Sequence, residues 1–254
     1  MKPKTLAEKI LSTHCGRDVY AGEIAFCNID FMVAHDANGP MAVKTFKEMG
    51  GKKVCDPNKI AVIFDHACPA PYERVSNIHM YMREFASEQG THFFECGEGV
   101  CHQLVIENNL VKPGDLVLGT DSHTCTYGAV GAFSTGVGAT DMAAALFTGK
   151  NWFKVPETIR INLKGQLQAG CSAKDIILYV IGLLGAAGGN YKAIEFHGEY
   201  LETCSLADRM TIANMVVELG AKAGFTCHKN LGIHPDEGAS YCREYDIDLD
   251  ALSP

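Results

Sequence analysis

A chain of 254 residues can bury a sizeable core and hold one large or two modest domains. Its composition, 47% apolar and 20% charged, is that of an ordinary globular protein, and a net charge of −8 argues against a general nucleic-acid or anionic-membrane surface. No apolar run reaches the roughly 18 residues of a membrane span, and Met1-Lys2-Pro3-Lys4 opens no signal-peptide core, which reads as a cytoplasmic protein.

In chain order, Thr5-x-x-Glu8 is a capping box that opens a helix from Leu6 to Ser12. A second helix, Met41 to Met49, stops at Gly50-Gly51. The β-branched run Lys59 to Phe64 predicts a buried parallel strand, and Ser76 is placed to cap a helix that Gly90 closes. A short strand at Thr91 to Phe94 and a helix around His102 to Asn108 precede a second buried strand, Asp115 to Gly119. The glycine-rich stretch Gly128 to Gly138 leads into a small-residue helix ending near Gly149.

The second half repeats the alternation. Ile159, Ile161 and Leu163 have the period of a half-buried strand, and Ser172-x-x-Asp175 caps an apolar helix to Leu184. Ala193 to Phe196 is a further strand, and Ser205-x-x-Asp208 caps a long helix to Ala223. Alternating strands and helices predict an α/β protein with mixed or parallel sheets flanked by helices. The expected division is a first α/β region over 5–155, a second, incomplete one over 156–225, and a polar acidic connector from Thr226 to Pro254 that leads toward a further C-terminal part.

Three histidine-bearing segments carry the chemical information: Asp65-His66, His102-Gln103 and Asp121-Ser122-His123-Thr124. Two of them follow predicted parallel strands, and chemistry in open α/β sheets collects beyond the carboxyl ends of such strands. A carboxylate beside an imidazole raises its pKa and suits proton delivery, although a turn cap explains Asp65-His66 equally well. Ser122 and His123 point to opposite faces of an extended backbone, and no G-x-S-x-G elbow is present, so a serine hydrolase fits poorly. His35-Asp36 before Asn38-Gly39-Pro40 reads by itself as a turn, and Asn214 with Glu218 shares one face of an apolar helix. The glycines at 128, 131, 136 and 138 match no nucleotide-binding fingerprint. The eleven cysteines contain no C-x-x-C and read mostly as buried, reduced thiols.

Taken together, the segments His35-Asp36, Phe64-Asp65-His66, Gly99-Val100-Cys101-His102-Gln103, Gly119-Thr120-Asp121-Ser122-His123-Thr124 and Met210-Thr211-Ile212-Ala213-Asn214-Met215 resemble the aconitase superfamily. Within it they are most similar to the large subunits of the 3-isopropylmalate dehydratase and homoaconitase group, over about residues 5 to 225. The resemblance implies a three-layer α/β/α fold and a hydro-lyase of 2-hydroxy dicarboxylates that works at a [4Fe–4S] cluster with a small, mobile subunit. It implies that Asp65 and His66 handle the leaving hydroxyl and that His102, Asp121 and His123 orient it. Glu218 with Asn214 would stand beside the cluster, while His35, Asp36 and Ser122 would shape the substrate site. The family's cluster-ligating cysteines are expected beyond Pro254, in later motifs than any in this sequence. No metal ligand is therefore assigned here, and the chain alone is expected to lack cluster and activity. Leucine biosynthesis through 3-isopropylmalate is the expected context, with homoaconitase and 2,3-dimethylmalate dehydratase as alternatives. Two readings of other classes stay open: a zinc hydrolase built on His66, His102, His123 and Asp121, and a non-catalytic assembly module.

Overall fold

Short β-branched runs flanked by Gly, Pro and Asp become the centres of two parallel sheets, as their buried composition requires. The computed structural model describes residues 2–254. The chain runs α1 (Leu6–Cys15), β1 (Ile24–Asn28), β2 (Phe31–His35), α2 (Gly39–Glu48), β3 (Ile60–Ile63), α3 (Glu73–Gln89), β4 (His92–Phe94), α4 (Cys101–Glu107), β5 (Leu116–Gly119). A 3₁₀ segment, Ser122–Val130, then leads to β6 (Phe133–Gly136), α5 (Ala139–Thr148), β7 (Lys150–Lys154), β8 (Thr158–Lys164) and α6 (Ala173–Leu184). The remainder is β9 (Ala193–His197), α7 (Tyr200–Thr203), α8 (Leu206–Asn214), a 3₁₀ turn (Met215–Leu219), β10 (Ala223–Thr226) and β11 (Arg243–Asp248).

The first sheet has the order β4-β3-β2-β5-β6 and is parallel throughout. The chain builds outward from β2 to β4, then returns to the other side of β2 for β5 and β6. That reversal opens a crevice between the carboxyl ends of β2 and β5, the usual place for a ligand in this architecture. Register brings the strand ends level: His35 lies beside Ile63, Val33 beside Gly119, and Gly119 beside Gly136. The second sheet, β10-β9-β8-β11, is also parallel, and α6 covers it with Ile176, Ile177 and Val180, each burial stabilising by about 2 kcal/mol.

Several predicted elements are corrected. No strand is predicted before residue 59, yet β2 is the middle strand of the first sheet, all five residues buried. β1 and β7 form a separate antiparallel pair. The helix expected from Ser76 begins at Glu73, after Tyr72. The long helix expected to reach Ala223 stops at Asn214; a 3₁₀ turn follows and Gly220, at φ 75°, ends it. The next apolar residues are strand β10, buried throughout.

The stretch from Thr226 to Pro254, expected as an exposed connector, is instead built into the second sheet. Arg243 to Asp248 pairs with β8, and Asp246 accepts from Asn162 and Lys164. Ile247, Leu249 and Leu252 join the core of that sheet, leaving only Ser253 and Pro254 exposed after them. Apolar residues alternating with the acidic ones are what draw the segment onto β8. The capping boxes at Thr5 and Ser205 form as expected.

Gly128 joins the two halves. A Cβ there would lie 1.5 Å from the Gly224 carbonyl oxygen, so only glycine lets the 3₁₀ segment press onto β10. Phe133 of the first sheet and Phe225 of the second pack against each other, ring centroids 6.1 Å apart. Among the described residues no helix is long and apolar enough to cross a membrane.

Candidate active site

The polar segments that follow β2, β3 and β5 meet at the crevice where the strand order reverses. Asp121 is the hub. One carboxylate oxygen accepts from His102 Nε2 at 3.0 Å and from the His123 amide at 2.7 Å; the other accepts from His66 Nε2 at 3.1 Å. His66 Nδ1 sits 2.7 Å from Asp65, whose second oxygen accepts the Cys101 amide at 2.7 Å. His66 is thus gripped on both ring nitrogens while its side chain keeps 36% exposure. Beneath it lies His35, stacked with ring centroids 3.9 Å apart.

The charges follow from these contacts. Burial alone would raise the Asp121 carboxyl, but the His102 hydrogen bond and the His123 amide hold it well below the usual carboxylate range. Burial works against a charged His66, yet the hydrogen bonds and charges of Asp65 and Asp121 raise its pKa above the ordinary value. His35 goes the other way: burial, then the neighbouring His66, lowers it. Its Nδ1 accepts the Ala37 amide at 3.2 Å, so the proton of the neutral ring is on Nε2, which has no hydrogen-bond partner and lies 4.0 Å from Asp121.

His35 and Asp36, expected to help shape the carboxylate end, are both buried. Asp36 is fully buried, and its carboxylate accepts from the amides of Asp65, His66 and Ala67 and from His79 Nε2. Burial opposes that charge, but those donors lower the Asp36 pKa. Its work is to hold the 65–67 loop in place, a task no local sequence reading reveals.

On the open side, His102, His123, Asn214 and Glu218 line a cleft of about 610 Å³ together with Gln103, Thr126 and Lys174. His123 Nε2 lies 3.4 Å from Glu218, and Asn214 donates to Thr126 Oγ1 at 2.8 Å. Ser122 and His123 do come together, with Ser122 Oγ 3.2 Å from His123 Nδ1, because the backbone turns into 3₁₀ geometry at Ser122. The opposite-face expectation holds only for an extended chain. Sequence reasoning passes over His79, Thr126 and Lys222; only the apolar neighbours of Lys222 carry a signal, and that signal reads as helix.

The aconitase family (aconitate hydratase) model matches residues 8–230. The chain belongs to the aconitase family. It is 47% identical over 266 aligned residues to a protein named 3-isopropylmalate dehydratase large subunit 1 in Methanopyrus kandleri, covering 99% of this chain and 64% of that protein. It is similar, at 47% identity, to the Thermotoga maritima protein of the same name, covering 99% of this chain and 63% of the relative. The Pyrococcus furiosus protein of that name is 51% identical over 223 residues, 87% of this chain and 53% of its own. The chain therefore spans under two thirds of the length of these relatives.

An aconitase-family site implies an iron–sulfur cluster, and the buried thiols Cys101 and Cys125 do not fit one. Among the described residues no cysteine lines the cleft. Cys101 is buried, and burial followed by Asp65 pushes its thiol far up. Cys125 donates to the Asn214 carbonyl at 3.2 Å, and burial pushes it up to about 12. Cluster ligands are thiolates, so these two buried thiols do not suit that role.

Proposed function

We propose that this chain supplies the acid–base wall of an aconitase-type hydro-lyase, with 3-isopropylmalate as substrate and leucine biosynthesis as context. The observation that carries the reading is the Asp121 carboxylate, held by His66, His102 and the His123 amide at the sheet's switch point. In this reading the protonated His66 holds a proton at Nε2 and delivers it to the departing hydroxide, with Asp65 sustaining the imidazolium from behind. Asp121 keeps His66 and His102 aligned, and His102 and His123 orient the hydroxyl being lost. Asn214 and Glu218 form the facing wall, and Asp36 with His35 acts by positioning the 65–67 loop. In this reading an iron–sulfur cluster, whose ligands are not among the thiols described above, would supply Lewis-acid chemistry. The name "large subunit" of the relatives supports a small-subunit partner, to which the reading gives the base for the carbon-bound proton. Alone, the chain is proposed to be inactive.

The test is anaerobic co-purification of the chain with the remainder of its dehydratase and the small subunit, followed by metal analysis and turnover of 3-isopropylmalate. About four irons per complex with reversible dehydration is the expected result. Stoichiometric zinc without iron would give the site to a hydrolase, and a full cluster without turnover would leave an assembly module.

A further inference from the structure

Lys222 stands apart from the acid–base cluster but shares a wall with it. It lies between the 3₁₀ turn Met215–Leu219 and β10, half-buried, its amide fixed on the Lys192 carbonyl at 2.8 Å. Its ammonium, which has three protons to donate, makes one hydrogen bond, a long one of 3.4 Å to the Gly136 carbonyl, lies 5.9 Å from the Tyr191 ring centroid, and makes no salt bridge among the described residues. Asp141 on α5 acts on it only through space, and burial pushes the ammonium down from its ordinary value against that attraction. A cation placed this way is stabilised by any anion brought to it.

The space for one is present. Lys222 opens onto a pocket of about 410 Å³ whose other walls include Asn38, Thr120, Asp121, Ser122 and Gly136 to Gly138. These walls add donors. Gly138 begins α5 without any side-chain cap, so the first amides of a ten-residue helix have no side-chain acceptor, and the first backbone bond closes only from Met142 to Gly138. A Cβ at Gly138 would meet nothing within 4 Å, which leaves that helix start open. Gly136 has a different role: a Cβ there would sit 2.5 Å from the Asp121 carbonyl oxygen, so glycine lets this loop close against the hub of the site. Asp121 shares this wall, its carboxylate engaged by His66 and His102.

We propose that Lys222, with the 136–138 loop and Ser122, forms the subsite for one carboxylate of the hydroxy-acid substrate, the arm remote from the departing hydroxyl. The proposal rests on the hydro-lyase reading for the substrate's identity, but the pocket's preference for a carboxylate does not depend on turnover. Ser122 and Asp121 border both the pocket and the acid–base cluster, so a dicarboxylate bridges the two without leaving protein contact. Arg at this position would keep the charge; Met would remove it and keep the volume.

The experiment titrates the 254-residue chain with 3-isopropylmalate, with a 2-hydroxy monocarboxylate of the same carbon skeleton, and with inorganic phosphate. Amide resonances of Ser122, Gly136 and Gly138 are followed in wild type, Lys222→Met and Lys222→Arg, and thermal melts check folding. The expected result is saturable shifts with the dicarboxylate, at least tenfold weaker binding in Lys222→Met, near-normal binding in Lys222→Arg, and no such dependence for the monocarboxylate. Should Lys222→Met not fold, Lys222→Gln makes the same comparison. Equal affinity in wild type and the uncharged variant overturns the subsite, and so does phosphate binding as well as the dicarboxylate, which would mark a general anion pocket. Lys222-dependent binding with no turnover in the assembled enzyme would sink the hydro-lyase reading and leave the subsite standing; turnover with Lys222-independent binding would do the reverse.

Discussion

Both parallel sheets set a histidine and carboxylates in or near the carboxyl halves of their strands, yet only in the first do they border an open cleft. In the second sheet, Glu195 on β9 is fully buried; it accepts the Leu6 amide at 2.7 Å, the Tyr241 hydroxyl at 2.9 Å and His197 Nε2 at 3.2 Å. Leu6 is the first residue of α1, so the carboxylate satisfies an orphan amide and complements the helix dipole. Cys227 lies close enough to complete a set of three metal-ligating side chains, but burial drives its thiol up, and the carboxylate already has its donors. In the first sheet, Asp121 keeps 16% exposure and His66 36%, and both border open space. Glu195 lies within β9, whereas Asp121 follows two residues after the end of β5. Each carboxylate accepts from three donors, so what separates the two is access to solvent.

Removing the hub should give the largest effect. Asp121→Asn leaves His66 and His102 facing a group that cannot take both their protons, and turnover in the proposed hydro-lyase assembly is expected to fall at least ~10³-fold. The measurement is kcat at saturating 3-isopropylmalate with cluster content verified. A loss under about tenfold would demote Asp121 to scaffold and erase the contrast with Glu195.

The mirror experiment on the second sheet predicts the opposite. Glu195→Gln exchanges a carboxylate that accepts from three donors for an amide that cannot, which should cost on the order of 2 kcal/mol in denaturant unfolding. Turnover at a temperature where the variant is folded should stay within about threefold of wild type. A large activity loss without a stability loss would give the second cluster chemistry of its own.

The sequence makes the strand ends legible where a β-branched run precedes the polar residues, as before Asp65 and Asp121. β2 escapes because it runs directly into His35-Asp36 before Asn38-Gly39-Pro40, which local chemistry reads as a turn. Nothing local marks Asp36 as an internal anchor either, since its donors come from residues 65–67 and from His79 on α3. The 205–223 stretch misleads for another reason: Val216, Val217 and Leu219 fit a helical stripe, but tertiary packing turns the chain at Gly220 into a buried strand. Lys222 falls at that junction, so the misread helix hides both the strand and the cation beside it. Ordered motifs reveal the family, while the division of labour among their residues emerges only from burial and distance.

The smallest expected effect is also the most specific to the first sheet. His66 has a raised pKa because Asp65 and Asp121 favour its charged form over the burial that opposes it. A group whose folded pKa exceeds its unfolded value contributes stability that is complete below the ordinary histidine pKa of about 6.5 and is lost as pH rises through the folded value. Activity that needs the protonated ring should therefore fall on the alkaline side, through the same folded pKa. Asp65→Asn keeps the shape and removes one of the two charges, so the His66 ring should titrate at lower pH and the alkaline limb of kcat should follow it. An NMR titration of the His66 Cε1 proton measures the first shift without any cluster, and the pH–rate profile measures the second. If the ring moves and the limb does not, His66 is charged for structural reasons and the proton comes from elsewhere in the cluster. If neither moves, Asp121 alone sets the charge, and Asp65 belongs with Asp36 among the residues that only hold the loop.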